Sequence, residues 1–237
     1  HSIPFHSIPF HSIPFHSIPF RSIPFYSVSF HSIPFHSIPL VLIPFLSILF
    51  GLKAFHIATD MMCEDVAYKN WNWFQFDYQI DNRMENYRRT KSTWGQFYEI
   101  IAKVNLHLET YFAQESTDPG VLAAKGEALA LRGIAYFHLI NFYQHTYKGH
   151  ETALGVPLAL KSTDQNLPRA TVQEVYKQII EDLTFAAKNC KNTGVRTDAD
   201  RAVAAAYLAK AYAQMEDWAN VETYAKIAAE GGSDKVT

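Results

Sequence analysis

Two polar side chains interrupt apolar helical faces in the middle of the chain. Asn105 and Arg132 each stand among aliphatic and aromatic residues at helical spacing. Burying an unpaired polar group costs about 1–3 kcal/mol, so each of them must find a hydrogen-bond partner. Asp182 is a suitable third member, because arginine offers five N–H donors and a carboxylate can accept two of them. The pattern predicts a structural network of Asn105, Arg132 and Asp182, with ligand contact as the alternative.

A second distinctive segment places aromatic rings among amide and carboxylate side chains just before the first long helical pattern. It contains Trp71, Trp73 and Tyr78 together with asparagine and aspartate residues. Flat rings can stack on a sugar while amides form hydrogen bonds to it, so this composition suits sugar or peptide contact. The simpler interpretation is that the rings pack beneath the first helix. If any residues of this chain touch a sugar, we expect them to be Trp71, Trp73 and Tyr78.

Neither catalysis nor metal binding has support in the sequence. His138, His145 and His150 are spaced by seven and five residues, which does not place three ligands on one helical turn. A glycosidase needs two carboxylates facing each other across a cleft, and no spacing of acidic residues indicates one. Gly-rich phosphate loops, GxSxG and HExxH are absent from the sequence. We therefore expect no catalytic residue, no metal and no cofactor.

The charge balance argues against a nucleic-acid partner. The 237 residues include 21 Lys+Arg and 23 Asp+Glu, which gives a formal net charge of −2. No cluster of basic residues suited to neutralising phosphates is present in the sequence.

The first 52 residues differ in composition from the rest of the chain. Residues 1–40 repeat the unit His-Ser-Ile-Pro-Phe with some drift, and a proline at nearly every fifth position excludes a continuous α-helix. The apolar run at 40–52 is shorter than the roughly 20 residues that a transmembrane helix needs. We interpret 1–52 as a low-complexity segment, either disordered or an artefact of the gene model, that precedes a helical domain at 53–237.

Five segments of that domain carry apolar residues at helical spacing, separated by Pro, Gly and Asn breaks. The first predicted helix covers 94–112 after an N-cap at Ser92-Thr93, and the second covers 121–143. The third is capped by Thr171 and ended by Asn192-Thr193-Gly194. The fourth is an Ala-rich segment after Thr197-Asp198, and the fifth covers 218–230 before Gly231-Gly232. The last two helices together span about the 34 residues of a tetratricopeptide unit. The sequence predicts an all-α fold of tetratricopeptide-like stacked helical hairpins with long loops.

Four blocks of the helical body, in the order in which they occur along the chain, resemble the SusD/RagB family of outer-membrane nutrient-binding lipoproteins. The first block contains Asp60 in Ile57-Ala58-Thr59-Asp60 and the helix with Trp94, Tyr98, Ile101 and Asn105. The second contains Arg132, Tyr136, Phe137 and Tyr143, followed by Gly155-Val156-Pro157-Leu158 in the loop. The third is Arg169-Ala170-Thr171-Val172 with Val175-Tyr176 and Asp182-Leu183, and the fourth is the Ala-rich helix followed by Trp218 and Tyr224-Ala225. The resemblance covers residues 57–232.

The resemblance implies a non-catalytic protein that binds a glycan or another nutrient. It would work at the cell surface with a TonB-dependent transporter of the SusC type. Family members usually begin with a lipoprotein signal and a lipid-bearing Cys and are about twice as long. We therefore interpret this chain as an N-terminal portion, whose membrane association would depend on a lipid anchor not present here. A helical-repeat scaffold for protein interactions and, with less support, a helical carbohydrate-active enzyme are the alternatives.

Overall fold

A computed structural model describes residues 55–62, 75–79, 84–193 and 198–232. The repeat at 1–52 and the expected ligand contacts Trp71 and Trp73 lie outside these ranges. None of the helices in the described ranges is both long and apolar enough to cross a membrane.

The described part of the chain is built from helices with one small sheet. The helices are α1, described over 55–60, α2 (Gln75–Tyr78), α3 (Arg88–Tyr111), α4 (Pro119–Tyr143), α5 (Val172–Asn189), α6 (Arg201–Gln214) and α7 (Trp218–Gly232). Strands β1 (Leu154–Pro157) and β2 (Arg169–Thr171) pair antiparallel within the long connection between α4 and α5. The all-α architecture predicted from the sequence is confirmed, and the short β-hairpin is an addition to it.

Side-chain caps fix the starts of three helices. Asp118 accepts hydrogen bonds from the first backbone N–H groups of α4, and Pro119 follows it as the first helical residue. At α5, Thr171 and Glu174 form a reciprocal capping box. Asp200 caps α6 by accepting from the N–H of Val203. The predicted helix start near Thr171 is therefore confirmed by its hydrogen bonds.

The start of α3 was predicted wrongly. The sequence suggested an N-cap at Ser92-Thr93, whereas α3 begins at Arg88 after Tyr87, which makes no side-chain cap. Ser92 lies inside the helix and donates its hydroxyl to the carbonyl of Arg89. Arginine and lysine are good helix formers, so the charged stretch before Ser92 extends the helix. An ion pair of 2.8 Å between Arg89 and Asp77 connects this added turn to α2.

Consecutive helices pack as antiparallel neighbours. Between α3 and α4, the rings of Trp94 and Tyr143 lie 4.9 Å apart at one end, and Asn105 meets Arg132 further along. Between α6 and α7, the ring of Tyr212 stacks on that of Tyr224. Residue numbers rise along one helix as they fall along its neighbour, which is the arrangement of helical hairpins.

Glycine allows α4 to approach α5 closely. A Cβ atom at Gly126 would lie 2.6 Å from Sγ of Cys190 and 3.3 Å from the Cα of Ala186. Gly133, two turns further along the same face, faces Leu183 in the same way. These glycines let the two helices pack together over most of their length.

Aromatic residues around His138 join four helices in one part of the core. The His138 ring on α4 stacks on Phe97 of α3, with ring centroids 5.4 Å apart. Phe55 of α1 contacts the same imidazole edge-on, and Tyr207 of α6 forms a hydrogen bond of 3.0 Å with its Nε2. The cluster fixes the positions of these helices relative to one another.

Candidate functional site

The three polar residues predicted to form a network are brought together in the structure. The Arg132 guanidinium donates from Nε and Nη2 to both carboxylate oxygens of Asp182, at 2.7 Å each. Its Nη1 donates to Oδ1 of Asn105 at 2.9 Å. Asn105 is fully buried and the other two side chains are nearly so. The bidentate ion pair joins α4, which carries Arg132, to α5, which carries Asp182. The hydrogen bond to Asn105 connects both helices to α3.

Opposing effects act on the pKa of Arg132 within this network. Burial disfavours the charged guanidinium, but the hydrogen bonds and charge of Asp182 outweigh that effect and raise the pKa above its usual range. Gln178 donates a further hydrogen bond of 2.9 Å to Asp182, so the carboxylate is satisfied on more than one side. Burial raises the pKa of the Asp182 carboxyl, although its hydrogen bonds to Arg132 and Gln178 act in the opposite direction. The two parallel contacts of 2.7 Å have the geometry of a bidentate ion pair.

The network extends from the helices to the backbone of the long connection after α4. The Asn105 amide uses Nδ2 to donate to the carbonyl oxygen of Ala159 at 2.9 Å. Tyr136 donates its hydroxyl to the same carbonyl at 2.8 Å and accepts from the N–H of Ala159 at 2.8 Å. Two residues earlier in the connection, the carbonyl of Pro157 accepts from the hydroxyl of Tyr98 at 2.8 Å. Buried helical side chains thus determine where this part of the backbone runs.

Acidic side chains and Arg169 hold the outer part of the same connection. Glu109, near the end of α3, accepts from both the N–H and the hydroxyl of Ser162. Asp164 accepts from the N–H groups of Leu160 and Lys161, each at 2.9 Å. Arg169 donates to the carbonyls of Gly155 and Leu154, which fastens β2 to β1. Side-chain hydrogen bonds therefore hold this connection at several points between Leu154 and Asp164 and again at Arg169, and we call residues 154–169 the anchored loop.

A cleft of about 560 Å³ lies between the anchored loop, α3 and the end of α4. One wall comes from α3, where Trp94, Tyr98 and Ala102 are four residues apart and share a face. Tyr143 and Gln144 close one end, and the anchored loop supplies the opposite wall. This volume falls in the range of about 300–1,000 Å³ that is typical of small-molecule sites.

The tyrosine hydroxyls beside the cleft are already occupied. Tyr98 donates to Pro157, and Tyr143 donates to the carbonyl of Thr90 at 2.6 Å. Burial raises the pKa of both phenols, so both remain neutral donors. The hydroxyls maintain the walls of the cleft, and the chemistry offered to a ligand comes from the rings and from the polar side chains of the anchored loop.

Tyr78 is the only one of the three proposed ligand contacts that the described ranges include. It ends α2, and 43% of its surface is exposed. Its neighbour Asp77 binds Arg89, and Phe76 packs edge-on against Tyr87 with ring centroids 6.2 Å apart. The part of this segment that the structure describes therefore lies against the start of α3, with the Tyr78 ring accessible to solvent.

The sequence analysis did not indicate that residues 154–169 are held against α3 and α4, or that a cleft lies beside them. Tyr98 and Tyr136 were identified only as residues that match the SusD/RagB family. A buried tyrosine hydroxyl needs a hydrogen-bond partner, and this rule could have indicated that both residues hold a polar backbone segment. The identity of that segment depends on the path of the chain, which periodicity does not reveal.

Among the residues that the structure describes, no group of three or more His, Cys, Asp or Glu side chains is placed to hold a metal ion. His145 and His150 do lie close together, with stacked rings whose centroids are 4.7 Å apart. Nδ1 of His150 makes a 3.1 Å contact with the carbonyl of Thr146, so a local turn accounts for its position.

Comparison with known proteins gives consistent matches. A SusD-like family model, described as starch-binding and associating with the outer membrane, matches residues 52–213. A SusD-like protein of Bacteroides ovatus is 25% identical over 163 residues, which are 65% of this chain and 27% of the relative. SusD-like protein P38 of Formosa agariphila is 34% identical over 101 residues, which are 40% of this chain and 18% of the relative.

A solved structure gives a similar result. A SusD-like carbohydrate-binding protein from Bacteroides vulgatus superposes with a TM-score of 0.66 at 27% identity, over 76% of this chain and 39% of that one. The matched part of this chain is thus about a quarter or less of the length of the two curated relatives, and about two fifths of the solved one.

Proposed function

This chain belongs to the SusD-like family, and on that premise we propose that it is a non-catalytic glycan-binding protein of the outer membrane. The observation that carries the proposal is the family match over 52–213, which includes α1 to α5 and most of α6. The likeness to a solved carbohydrate-binding protein at 27% identity supports the same ligand class. In this proposal the helical hairpins are a rigid scaffold and do no chemistry.

We propose that Trp71, Trp73 and Tyr78 supply ring contacts to the glycan. Support comes from their composition as an aromatic cluster among amides and from the exposed ring of Tyr78. Stacking of a flat ring against the C–H face of a sugar buries apolar area while the sugar hydroxyls remain available for hydrogen bonds.

Affinity electrophoresis of the chain in gels containing soluble starch or laminarin tests this function. We expect the wild-type chain to be retarded, and Trp71→Ala and Trp73→Ala to weaken binding by at least about tenfold, which corresponds to about 1.4 kcal/mol. Trp218→Ala is the matched control, because Trp218 on α7 is 66% exposed and far along the chain from the aromatic segment. Equal binding by wild type and the three variants would show that Trp71 and Trp73 do not contact the glycan. If the wild-type chain is not retarded by either glycan, the proposed glycan-binding function is wrong.

The proposal also includes a partner and a location. We propose that the protein acts at the cell surface with a TonB-dependent transporter of the SusC type and is held there by a lipid anchor. The outer-membrane description of the family supports the location. Co-purification of such a transporter with the tagged protein from outer membranes tests the partnership. Incubation with glycans tests the absence of catalysis, because released product would contradict pure binding.

A further inference from the structure

We propose that the cleft between α3 and the anchored loop is a second glycan subsite, which binds one pyranose unit of a neutral oligosaccharide. This inference rests on the proposed glycan-binding function and names contact residues other than Trp71, Trp73 and Tyr78. It is carried by the geometry of the cleft walls, whose chemistry differs from one side to the other.

The α3 wall provides an apolar surface with an aromatic ring. Trp94 is partly buried and lies 4.8 Å from the ring of Tyr98 and 4.9 Å from that of Tyr143, so its indole is held in place by two neighbours. Ala102 continues the same face one turn beyond Tyr98 and is exposed. Because the Ala102 side chain is small, it leaves the space in front of the ring wall open.

The wall formed by the anchored loop provides hydrogen-bonding groups. Lys161, Gln165 and Asn166 are exposed, and Asp164 is partly exposed, and all four line the cleft. Together they supply ammonium and amide donors along with amide and carboxylate acceptors. Arg169 also lines the cleft, but its guanidinium donates to the carbonyls of Gly155 and Leu154. Lys161 and Arg169 against Asp164 leave only a small net positive charge, so the lining does not require an acidic ligand.

A pyranose ring presents complementary surfaces to these two walls. Its C–H face is apolar and packs on an aromatic ring, and its hydroxyl edge requires donors and acceptors. Peptides and fatty acids offer no comparable flat unit with one apolar face and a hydroxyl-lined edge. A site that meets both surfaces at once has the usual composition of a small-ligand pocket, mostly apolar with a few placed polar groups.

The cleft is also formed before any ligand arrives. Asn105, Tyr98 and Tyr136 hold the anchored loop through its backbone, and Glu109 holds it from outside. A wall that is already in place loses little conformational entropy on binding, which favours affinity.

A pair of alanine-to-tryptophan substitutions tests the subsite. Ala102→Trp fills the cleft from an exposed helical position, so it should block the sugar while leaving the core intact. Ala124→Trp is the matched control, at an exposed position of α4 that does not line the cleft. Titration calorimetry with maltoheptaose and laminarihexaose should give an affinity at least about tenfold weaker for Ala102→Trp. Ala124→Trp should stay within about twofold of wild type, as expected of a surface change.

A milder variant addresses the polar wall without adding bulk. Gln165→Ala removes an exposed amide that lines the cleft, and we expect it to weaken binding by about threefold, the value of one neutral hydrogen bond. Circular dichroism and the urea midpoint of each variant should match those of wild type, which separates blocked binding from misfolding.

The outcomes distinguish this inference from the proposed function. If wild type binds, and both Ala102→Trp and Gln165→Ala bind equally well, the subsite is wrong while the glycan-binding function stands. If Ala102→Trp alone loses affinity, with Trp71→Ala unaffected, the cleft is the principal site. If the wild-type chain binds neither oligosaccharide, both proposals fail.

Discussion

At the scale of single residues, the Arg132–Asp182 ion pair has the strongest consequence for stability. The exposed fractions of the two side chains are 9% and 3%, so neither charge can be solvated if its partner is removed. We expect Arg132→Met to lower the free energy of unfolding by about 3–5 kcal/mol, because it leaves a buried carboxylate unpaired. Urea denaturation followed by circular dichroism measures this change.

A paired substitution separates the structural role of Arg132 from ligand contact. Arg132→Met combined with Asp182→Leu removes both charges, so it should recover much of the lost stability. Glycan affinity per folded molecule should be the same in wild type and in both variants. Weaker binding by Arg132→Met at unchanged stability would reject the structural role.

His138 is expected to make stability depend on pH. Burial, with smaller electrostatic contributions from nearby His56 and Lys210, lowers its pKa from 6.5 to about 3. Between these values the unfolded chain binds a proton that the folded chain does not, so acidification lowers the free energy of unfolding. The contribution of this one group approaches about 1.4 kcal/mol per pH unit between about pH 5.5 and 4 and disappears below the folded-state pKa.

Urea denaturation at several pH values between 7 and 4.5 should show this slope. His138→Phe keeps a ring in the aromatic cluster but cannot bind a proton, so its stability should depend less on pH than that of wild type. Because other groups also titrate, the difference between the two proteins is the relevant quantity. Parallel curves for the two proteins would show that His138 is protonated equally in the folded and unfolded states.

The sequence could indicate that Asn105, Arg132 and Asp182 needed partners, because an apolar helical face leaves no alternative for a polar group. It could not indicate that Asn105 also binds the backbone of Ala159. That contact depends on the route of a connection whose sequence has no regular period. The cleft beside α3 could not be predicted for the same reason, because one of its walls is formed by that connection.

At the scale of the helices, two glycines should respond in opposite directions to the same substitution. Gly126→Ala would place a methyl group 2.6 Å from Sγ of Cys190, so we expect a loss of about 1–2 kcal/mol as α4 is pushed away from α5. Gly95→Ala, on α3, meets nothing within 4 Å and should instead stabilise the helix by up to about 1 kcal/mol.

Thermal and urea unfolding of the two variants measure this contrast. The pair controls for the general effect of alanine on helix propensity, so the difference between the two reports the closeness of the α4–α5 contact. Stabilisation of both variants by equal amounts would indicate that the two helices have room between them at Gly126.

The starts of α4 and α5 were predictable because specific residues cap them, whereas α6 was predicted to follow Thr197-Asp198 and in fact follows its cap Asp200. Thr171 with Glu174 and Asp118 with Pro119 left signals that the hydrogen bonds explain. The start of α3 had no such signal, because Tyr87 makes no side-chain cap. Strands β1 and β2 contain four and three residues, which is too short for an alternating pattern to stand out.

At the scale of the whole molecule, we expect residues 1–52 to contribute little to the stability of the helical domain. The family match begins at residue 52, and the five-residue period of the repeat fits neither helix nor strand. A chain that starts at residue 53 should have an unfolding midpoint close to that of the full chain, measured by thermal denaturation. A clear fall in the midpoint would mean that the repeat packs on the helices.

The stacked arrangement spreads the core along the chain. Helix α4 contacts α3, α5 and α6, while α7 contacts its neighbour α6 at the other end of the array. Substitutions in α4 should therefore affect the stability of the whole array, and changes on the outer face of α7 should remain local.

The route of the anchored loop is determined by its carbonyl and N–H groups, which bind side chains from α3 and α4. Its outward side chains at Lys161, Thr163 and Gln165 are exposed, and their replacement leaves those backbone bonds in place. Related proteins could therefore diverge at these positions and acquire new ligand preferences without rebuilding their shape. Randomised libraries at the same three positions offer a direct route to engineered sugar receptors.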